Sequence, residues 1–173
     1  MQVELVLTAI AEDRPGLVET LAGIIADHSG NWIDSEMARL GGEFAGILRI
    51  SVPEASVGTL EQALDRLSDK GISVTMRKAR HDEPRPGRHA RLDLTGQDHT
   101  GIVLEATRVL ARQGVNVDAL HTRVFPGSMS GEAMFQAQAD VVLPDGLAIE
   151  DLRDALELIA HDLMVDIALE EID

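Results

Sequence analysis

Apolar residues follow two periodicities along this chain, and the two periodicities alternate in the same order in both halves. In residues 90–96 (ARLDLTG), Leu92 and Leu94 alternate with polar neighbours, which predicts a strand with one buried face; residues 3–10 (VELVLTAI) hold the same place in the first half. Apolar residues at helical spacing come next and form one stripe in each half: Leu17, Leu21, Ile24 and Ile25, then Ile102, Ala106, Val109 and Leu110. Each half is therefore expected to begin with a strand and an amphipathic helix.

The rest of each half predicts two more strands, a second amphipathic helix and a last strand. The clearest strand is 134–142 (MFQAQADVV), in which apolar residues alternate with polar ones from Phe135 onward. The second helices are expected over 56–70 and 148–161, and the last strands over 72–77 and 164–172. The order βαββαβ, present twice, is typical of the ferredoxin-like arrangement. The predicted fold class is α+β, with two antiparallel four-stranded sheets that each carry their helices on one face.

The two halves read as copies of one unit. Adding 85 to a residue number aligns five identical pairs: Asp13/Asp98, Gly16/Gly101, Val18/Val103, Ala26/Ala111 and Asn31/Asn116. Further along the offset is 92, so the second copy has seven extra residues, which we place at 126–132 (PGSMSGE) because of its turn-forming composition. Residues 81–89 are charged, rich in proline and glycine and without periodicity, which predicts a linker between domains 1–80 and 90–173.

Composition limits the kind of partner. The net charge of −15 over 173 residues disfavours a surface that neutralises phosphates, so direct binding of nucleic acid is not expected. Cysteine is absent, which excludes disulfides, thiolate metal ligands and thiol nucleophiles. No apolar run approaches the length of a membrane span and no basic region precedes the N-terminal apolar residues, so a soluble, cytoplasmic protein is the expectation.

The turn between the first strand and the first helix carries the same residue types in both copies. Asp13 and Asp98 are expected to cap the N-termini of the helices, and Pro15 suits a first-turn position whose N–H has no helical partner. Gly30 and Gly114 follow the helices, where left-handed C-terminal caps are expected. An asparagine follows each aspartate by 18 residues, at the start of the predicted second strand: Asn31 and Asn116.

The segments DRPGLV followed by GNWI, and DHTGIV followed by GVNV, resemble the ligand-loop signature of the ACT domain family, small regulatory modules that bind amino acids. The resemblance covers nearly the whole chain as two tandem units. In ligand-binding members, the polar residue before x-P-G and the asparagine entering the second strand hold the amino acid at an interface between units. The resemblance thus implies these candidate ligand-binding residues: Asp13, Arg14, Pro15, Gly16, Leu17, Asn31 and Trp32 in the first copy, and Asp98, His99, Thr100, Gly101, Ile102, Asn116 and Val117 in the second.

The chemistry of these loops suits an amino acid, with two departures from the family pattern. Free helix N–H groups attract a carboxylate, and asparagine offers both a donor and an acceptor. Asp13 stands where the family often has asparagine; it could accept from an α-ammonium group but would repel a carboxylate. Thr100 replaces the proline, which makes the second loop less typical. Trp32 could line the site or fill the core, and the core is favoured for a single tryptophan.

Other residues predict neither a metal site nor a catalytic centre. His81, Asp82 and His89 cluster in the linker, but the histidines lack the spacing of metal ligands, so solvated charge is the favoured interpretation. His99 and His121 could flank the second ligand site or be ordinary surface residues. Neither a nucleophile-elbow motif nor a phosphate-binding glycine loop is present, so the sequence predicts a protein that is not an enzyme and uses no cofactor or metal.

The resemblance implies a non-catalytic protein that binds a small amino acid, glycine being favoured, and passes that state to a protein partner. The partner would be of the kind of a DNA-binding activator, so that the output is control of transcription through a shift between populated arrangements. The expected partners also include a second copy of the chain, in a homodimer. The alternative is a stand-alone sensor or a regulatory subunit that acts on a metabolic enzyme, and a third possibility is an enzyme without recognisable motifs.

Overall fold

The computed structural model describes residues 1–80, 85–129 and 131–172. The chain divides into two compact units, Met1–Glu83 and Pro84–Asp173, and each unit has its own sheet. Of the predicted linker, residues 81–84, with His81 and Asp82, lie outside the described residues. Its last two residues, Arg88 and His89, belong to a strand, because their backbones pair with Leu143 and Val142 of the neighbouring strand.

Each unit contains the βαββαβ order that the periodicities predict. The first unit consists of β1 (Gln2–Glu12), α1 (Leu17–Asp27), β2 (Asn31–Leu40), β3 (Glu43–Pro53), α2 (Val57–Asp65) and β4 (Ile72–Lys78), with short 3₁₀ segments at Glu54–Ser56 and Arg66–Lys70. The second consists of β5 (Arg88–Gln97), α3 (Ile102–Arg112), β6 (Asn116–Pro126), β7 (Ala133–Leu143), α4 (Ile149–Leu163) and β8 (Val165–Glu171).

The two sheets have the same topology. The strand orders are β2-β3-β1-β4 and β6-β7-β5-β8, and every neighbouring pair is antiparallel. One face of each sheet is buried: in β1, the inward residues Leu5, Leu7, Ala9 and Ala11 alternate with more exposed ones. The first helices bury the predicted stripe, with Leu21 and Leu110 almost fully inaccessible. The predicted α+β class with two ferredoxin-like units is confirmed.

The strand registers locate the residues that lengthen the second unit. Leu40 pairs with Glu43 across the hairpin of the first unit, whereas the matching Phe125 pairs with Met134 in the second. The second hairpin is therefore longer by six residues, within the predicted segment 126–132. The seventh extra residue lies between β7 and α4. Five residues separate Leu143 from α4, one more than in the matching segment of the first unit. The sequence prediction had assigned all seven to the hairpin, since offsets measured from helix to helix cannot resolve the strand between them.

The C-terminal caps of the first helices differ between the units. Gly114 is left-handed, with φ of 70°, as predicted. In the first unit the left-handed residue is Ser29, with φ of 58°, and the prediction for Gly30 is wrong. Gly30 is required for space: a Cβ there would lie 2.8 Å from both Ile25 Cγ2 and Val52 Cγ1. The left-handed conformation therefore falls on Ser29, where it is strained, and Gly30 occupies the position that has no room for a side chain.

Candidate functional site

The two candidate ligand loops join a strand to a helix, and glycine shapes both. Gly16 and Gly101 are the N-cap residues of α1 and α3, with φ of 91° and 100°, a region that favours glycine. The predicted capping by Asp13 and Asp98 is wrong, because neither helix has a side-chain hydrogen bond at its N-cap. A left-handed turn at glycine separates each aspartate from the first helical residue. The N-terminal amides of both helices therefore lack side-chain caps.

The two aspartates are bound differently. Each backbone N–H donates to the facing hairpin, from Asp13 to the Gly42 carbonyl and from Asp98 to the Ala133 carbonyl, both at 2.8 Å. The Asp13 carboxylate also pairs with Arg39, with Oδ2 to Nε at 2.6 Å. Within the described residues, the Asp98 carboxylate has no ion pair. Arg39 balances the charge that would otherwise repel a ligand carboxylate from the first loop.

An open groove of about 600 Å³ lies beside the first loop. Arg14, Pro15, Gly16 and Leu17 line it, together with the face of α1 and with Lys70 and Ile72. Its charged residues are of both signs: Arg14, Lys70, Glu19 and Asp27. The uncapped amides of α1 begin at the same place. A zwitterion meets partners for both of its charges in such a groove.

The residue after each aspartate fastens the loop to the end of the second helical segment. Arg14 Nη2 donates to the carbonyl of Lys70, the last residue of its 3₁₀ segment. At the matching position, His99 Nε2 donates to the carbonyl of Leu163, the last residue of α4, at 2.7 Å. His99 Nδ1 also lies 3.1 Å from the Thr100 carbonyl oxygen. Sequence analysis placed both residues in the loops but gave no sign of this contact.

The pKa of His99 is raised above its ordinary value. The hydrogen bond to the Leu163 carbonyl is the largest cause, followed by the one to Thr100, and the Asp98 charge adds to them. Burial acts in the opposite direction. Acceptors on both sides of the ring favour the charged imidazolium, which has a donor on each nitrogen.

The two asparagines begin the second strands, as predicted, but only one has a free amide. Asn31 is exposed, and its side chain has no partner among residues 1–80, 85–129 and 131–172. Asn116 donates from Nδ2 to the Asp118 carboxylate, which also lies 3.5 Å from Arg85 Nη1. The first unit has Ile33 at the position of Asp118, so no carboxylate competes for Asn31 there.

Within one unit, the structure does not bring the loop and the asparagine together. Glu12, next to Asp13, pairs with Glu43 on β3, while Asn31 pairs with Ser51 at the far end of that strand. The eight residue steps from Glu43 to Ser51 span about 26 Å at roughly 3.3 Å per step. A small amino acid is far shorter than this distance. The second unit repeats the separation, since Asp98 bonds to Ala133 and Asn116 pairs with Val142.

The remaining predicted site residues divide between surface and core. Pro15 and Thr100 are exposed, while Leu17 and Ile102 are buried. Trp32 is half-buried and packs against the first core, which agrees with the favoured core interpretation. Its counterpart Val117 instead lines an apolar cavity of about 30 Å³ in the second unit. The larger tryptophan fills space that valine leaves empty.

Two residues of the first loop's surroundings escaped the sequence analysis. Lys70 lies 56 positions after Arg14, and Arg39 lies 26 after Asp13. Neither belongs to a motif, and both carry charges typical of solvent-exposed residues. His121, on β6, pairs across to Gln138 and is exposed.

In the parts of the chain that the structure describes, no group of three or more acidic, histidine or cysteine side chains is placed to hold a metal ion. Among the described helices, none is long and apolar enough to cross a membrane.

Comparisons with known proteins identify the class to which these loops and units belong. Residues 4–77 match the model of the ACT domain family, which spans the first unit from β1 to β4. The second unit repeats the strand order of the first. The first unit therefore belongs to the ACT domain family, and the second unit has the same fold.

Known proteins resemble nearly the full length of the chain as well. The glycine cleavage system transcriptional repressor of Escherichia coli (strain K12) is 24% identical over 163 residues, which cover 92% of this chain and 85% of the repressor. The crystal structure of an unknown protein from Galdieria sulphuraria aligns over 100% of both chains with 30% identity and a TM-score of 0.85. A candidate glycine cleavage system transcriptional repressor has a TM-score of 0.70 at 20% identity, covering 100% of this chain and 99% of its own. The last similarity supports the fold alone.

Proposed function

We propose that this protein is a non-catalytic regulator that binds a small amino acid, with glycine favoured, at the loop of its first ACT unit. The observation that carries the proposal is the groove beside Gly16, where uncapped helix amides adjoin charges of both signs. Arg14, Lys70 and the amides of α1 face the carboxylate, and Glu19, in the first turn of α1, faces the ammonium group. A small ligand suits an open groove without a deep side-chain pocket.

The asparagine of the family signature completes this site from a second copy of the chain. Asn31 is too far from the loop of its own unit to contact the same small ligand. Its amide is exposed and has no partner in the described parts of the chain, so it is available to the loop of another copy. Homodimerisation and ligand binding are then linked, because each stabilises the other.

The output of the proposed regulator is transcriptional, through a protein partner in the cytoplasm. The similarity to a transcriptional repressor over nearly the full length supports this output. The net charge of −15 supports contact with a DNA-binding protein over contact with DNA. A stand-alone sensor of a metabolic enzyme is the competing function. Pure protein that shifts DNA in a gel at physiological salt would contradict the proposed route.

Calorimetry with matched asparagine variants tests the ligand site. A thermal-shift screen of the twenty amino acids selects the ligand, since binding raises the melting temperature. Asn31→Ala should then weaken binding about ten- to hundredfold, equivalent to roughly 1.4–2.7 kcal/mol. Asn116→Ala is the control, because its amide is already bonded to Asp118. Equal affinities in both variants and in the native protein would show that the first loop is structural.

A further inference from the structure

We propose that protonation of His99 fastens the candidate ligand loop of the second unit to the end of α4, which makes this loop sensitive to pH while its counterpart in the first unit is not. The inference concerns the free protein and does not depend on ligand binding.

The geometry around the imidazole carries the proposal. Nε2 is 2.7 Å from the Leu163 carbonyl oxygen, and Nδ1 is 3.1 Å from the Thr100 carbonyl oxygen. A carbonyl oxygen can only accept a hydrogen bond, so both ring nitrogens must carry a hydrogen for both contacts to form. Only the charged form of histidine satisfies that condition. The neutral form must give up one contact and place a lone pair against an oxygen.

The contact with α4 has an additional electrostatic reason. Leu163 ends a helix of 15 residues and the left-handed Met164, with φ of 51°, follows it, so the Leu163 carbonyl has no partner within the helix. The C-terminus of a helix carries partial negative charge, which favours a cation at that position. Charged His99 thus serves as a side-chain cap for α4 and as the tie of the loop.

The first unit has an equivalent hydrogen bond between its loop and the end of its second helical segment, but the side chain that makes it does not titrate in the physiological range. Arg14 aligns with His99 by the offset of 85, and Lys70 and Leu163 each end the second helical segment of their unit. Left-handed residues follow both, Gly71 with φ of 74° and Met164. Arginine stays charged throughout the physiological range, so the first loop remains tied at any pH at which the protein is folded.

Ionisable groups lie close in sequence to both contacts of the ring. Asp98 precedes His99 in the loop and supports its charge. His161 and Asp162 lie in the last turn of α4, and Asp166 lies in β8. The raised pKa of His99 fixes the direction of the effect. The tie is complete below the ordinary histidine value of 6.5, and as pH rises through the raised value it loses the positive charge and one of its two hydrogen bonds and weakens.

Hydrogen exchange measured by NMR on the full chain tests the tie. The reporters in the second unit are the amides of Met164 and Glu105, which bond to the His161 and Gly101 carbonyls. The matching reporters in the first unit are Gly71 and Thr20, bonded to Ser68 and Gly16. Protection factors are compared because they correct for the pH dependence of the intrinsic exchange rate. The two conditions are about pH 5 and about pH 8, between which histidine changes charge.

Two reciprocal substitutions make the test specific. In the native protein, protection at Met164 should fall several-fold between the lower and the higher pH, and protection at Gly71 should stay constant. His99→Arg should remove the fall, and Arg14→His should introduce one at Gly71. Constant protection at Met164 in the native protein would overturn the proposal. An equal fall in His99→Arg would also overturn it, because another group would then be responsible, as would constant protection at Gly71 in Arg14→His.

Discussion

The two units share strand order, loop geometry and the N-terminal caps of their first helices, yet their cores are packed to different degrees. In the first unit, Leu21 and Leu48 belong to the same core cluster and are almost fully inaccessible. The matching residues of the second unit are Ala106 and Ala139, and both line the apolar cavity. The buried side chains of the second unit also fall into two clusters, whereas the first unit has one continuous cluster. A repeated fold does not require a repeated packing.

The loops differ in the same manner, because equivalent contacts are made with different chemistry. Arg14 and His99 both tie their loop to a terminal carbonyl, but only one of them titrates. Among the described residues the Asn31 amide has no partner, whereas Asn116 is bonded to Asp118. The first unit therefore keeps the features expected of a ligand site. In the second unit, the asparagine at the equivalent position is already bonded to a residue of its own unit.

The largest expected effect follows from giving the first core the alanine of the second. Leu48→Ala removes a side chain that is 1% exposed and should lower the free energy of unfolding by about 2–5 kcal/mol. Urea denaturation followed by circular dichroism measures the loss. Ala45→Gly on the same strand serves as a control for backbone effects. A loss below about 1 kcal/mol would mean that the first core relaxes around the space.

A smaller loss is expected at the tight turn after α1. Gly30→Ala places a Cβ 2.8 Å from Ile25 Cγ2 and Val52 Cγ1, which should cost about 1–3 kcal/mol of stability. Gly23→Ala is the matched control, since a Cβ there has no neighbour within 4 Å and a helical alanine should stabilise by roughly 0.5–1 kcal/mol. The melting temperatures of the two variants should thus move in opposite directions.

Exchanging the left-handed residues tests whether Ser29 carries strain. Ser29→Gly should raise stability by about 0.5–1 kcal/mol, because glycine adopts a positive φ without a steric penalty. Gly114→Ser, the reciprocal change in the second unit, should lower stability by a similar amount. Chemical denaturation of both single variants provides the measurement. Changes of the same sign in both would refute the assignment of strain to the left-handed position.

The smallest effect is expected from filling the cavity of the second unit. Ala139→Val adds two methyl groups beside an apolar space of about 30 Å³. At roughly 24 cal/mol per Å³, complete filling stabilises by about 0.7 kcal/mol. Hydrogen exchange of the β5 and β7 amides assigns the gain to this unit. A loss of stability would show that the valine overpacks the site and that the two clusters are separated by rigid neighbours.

The sequence by itself determined the two βαββαβ units, their sheets and most of the core. These features depend on local periodicity: inward residues such as Leu92 and Leu94 repeat every second position, and the stripe from Leu17 to Ile25 repeats with the helical turn. The glycines at 16 and 101 were also recognisable, although their role is conformational. Because the same pattern occurs in both copies, each predicted element rests on two stretches of sequence.

Only the tertiary structure decided which side chain each loop residue meets. Arg14 finds Lys70, and His99 finds Leu163 at a distance of 64 positions, because the sheet order sets the second helix beside the first loop. The position of Asn31 at the far end of the sheet likewise depends on strand register. Backbone carbonyls accept these contacts, and every residue type has one. Such partners leave no trace in the identity of the residues, so the sequence could not reveal them.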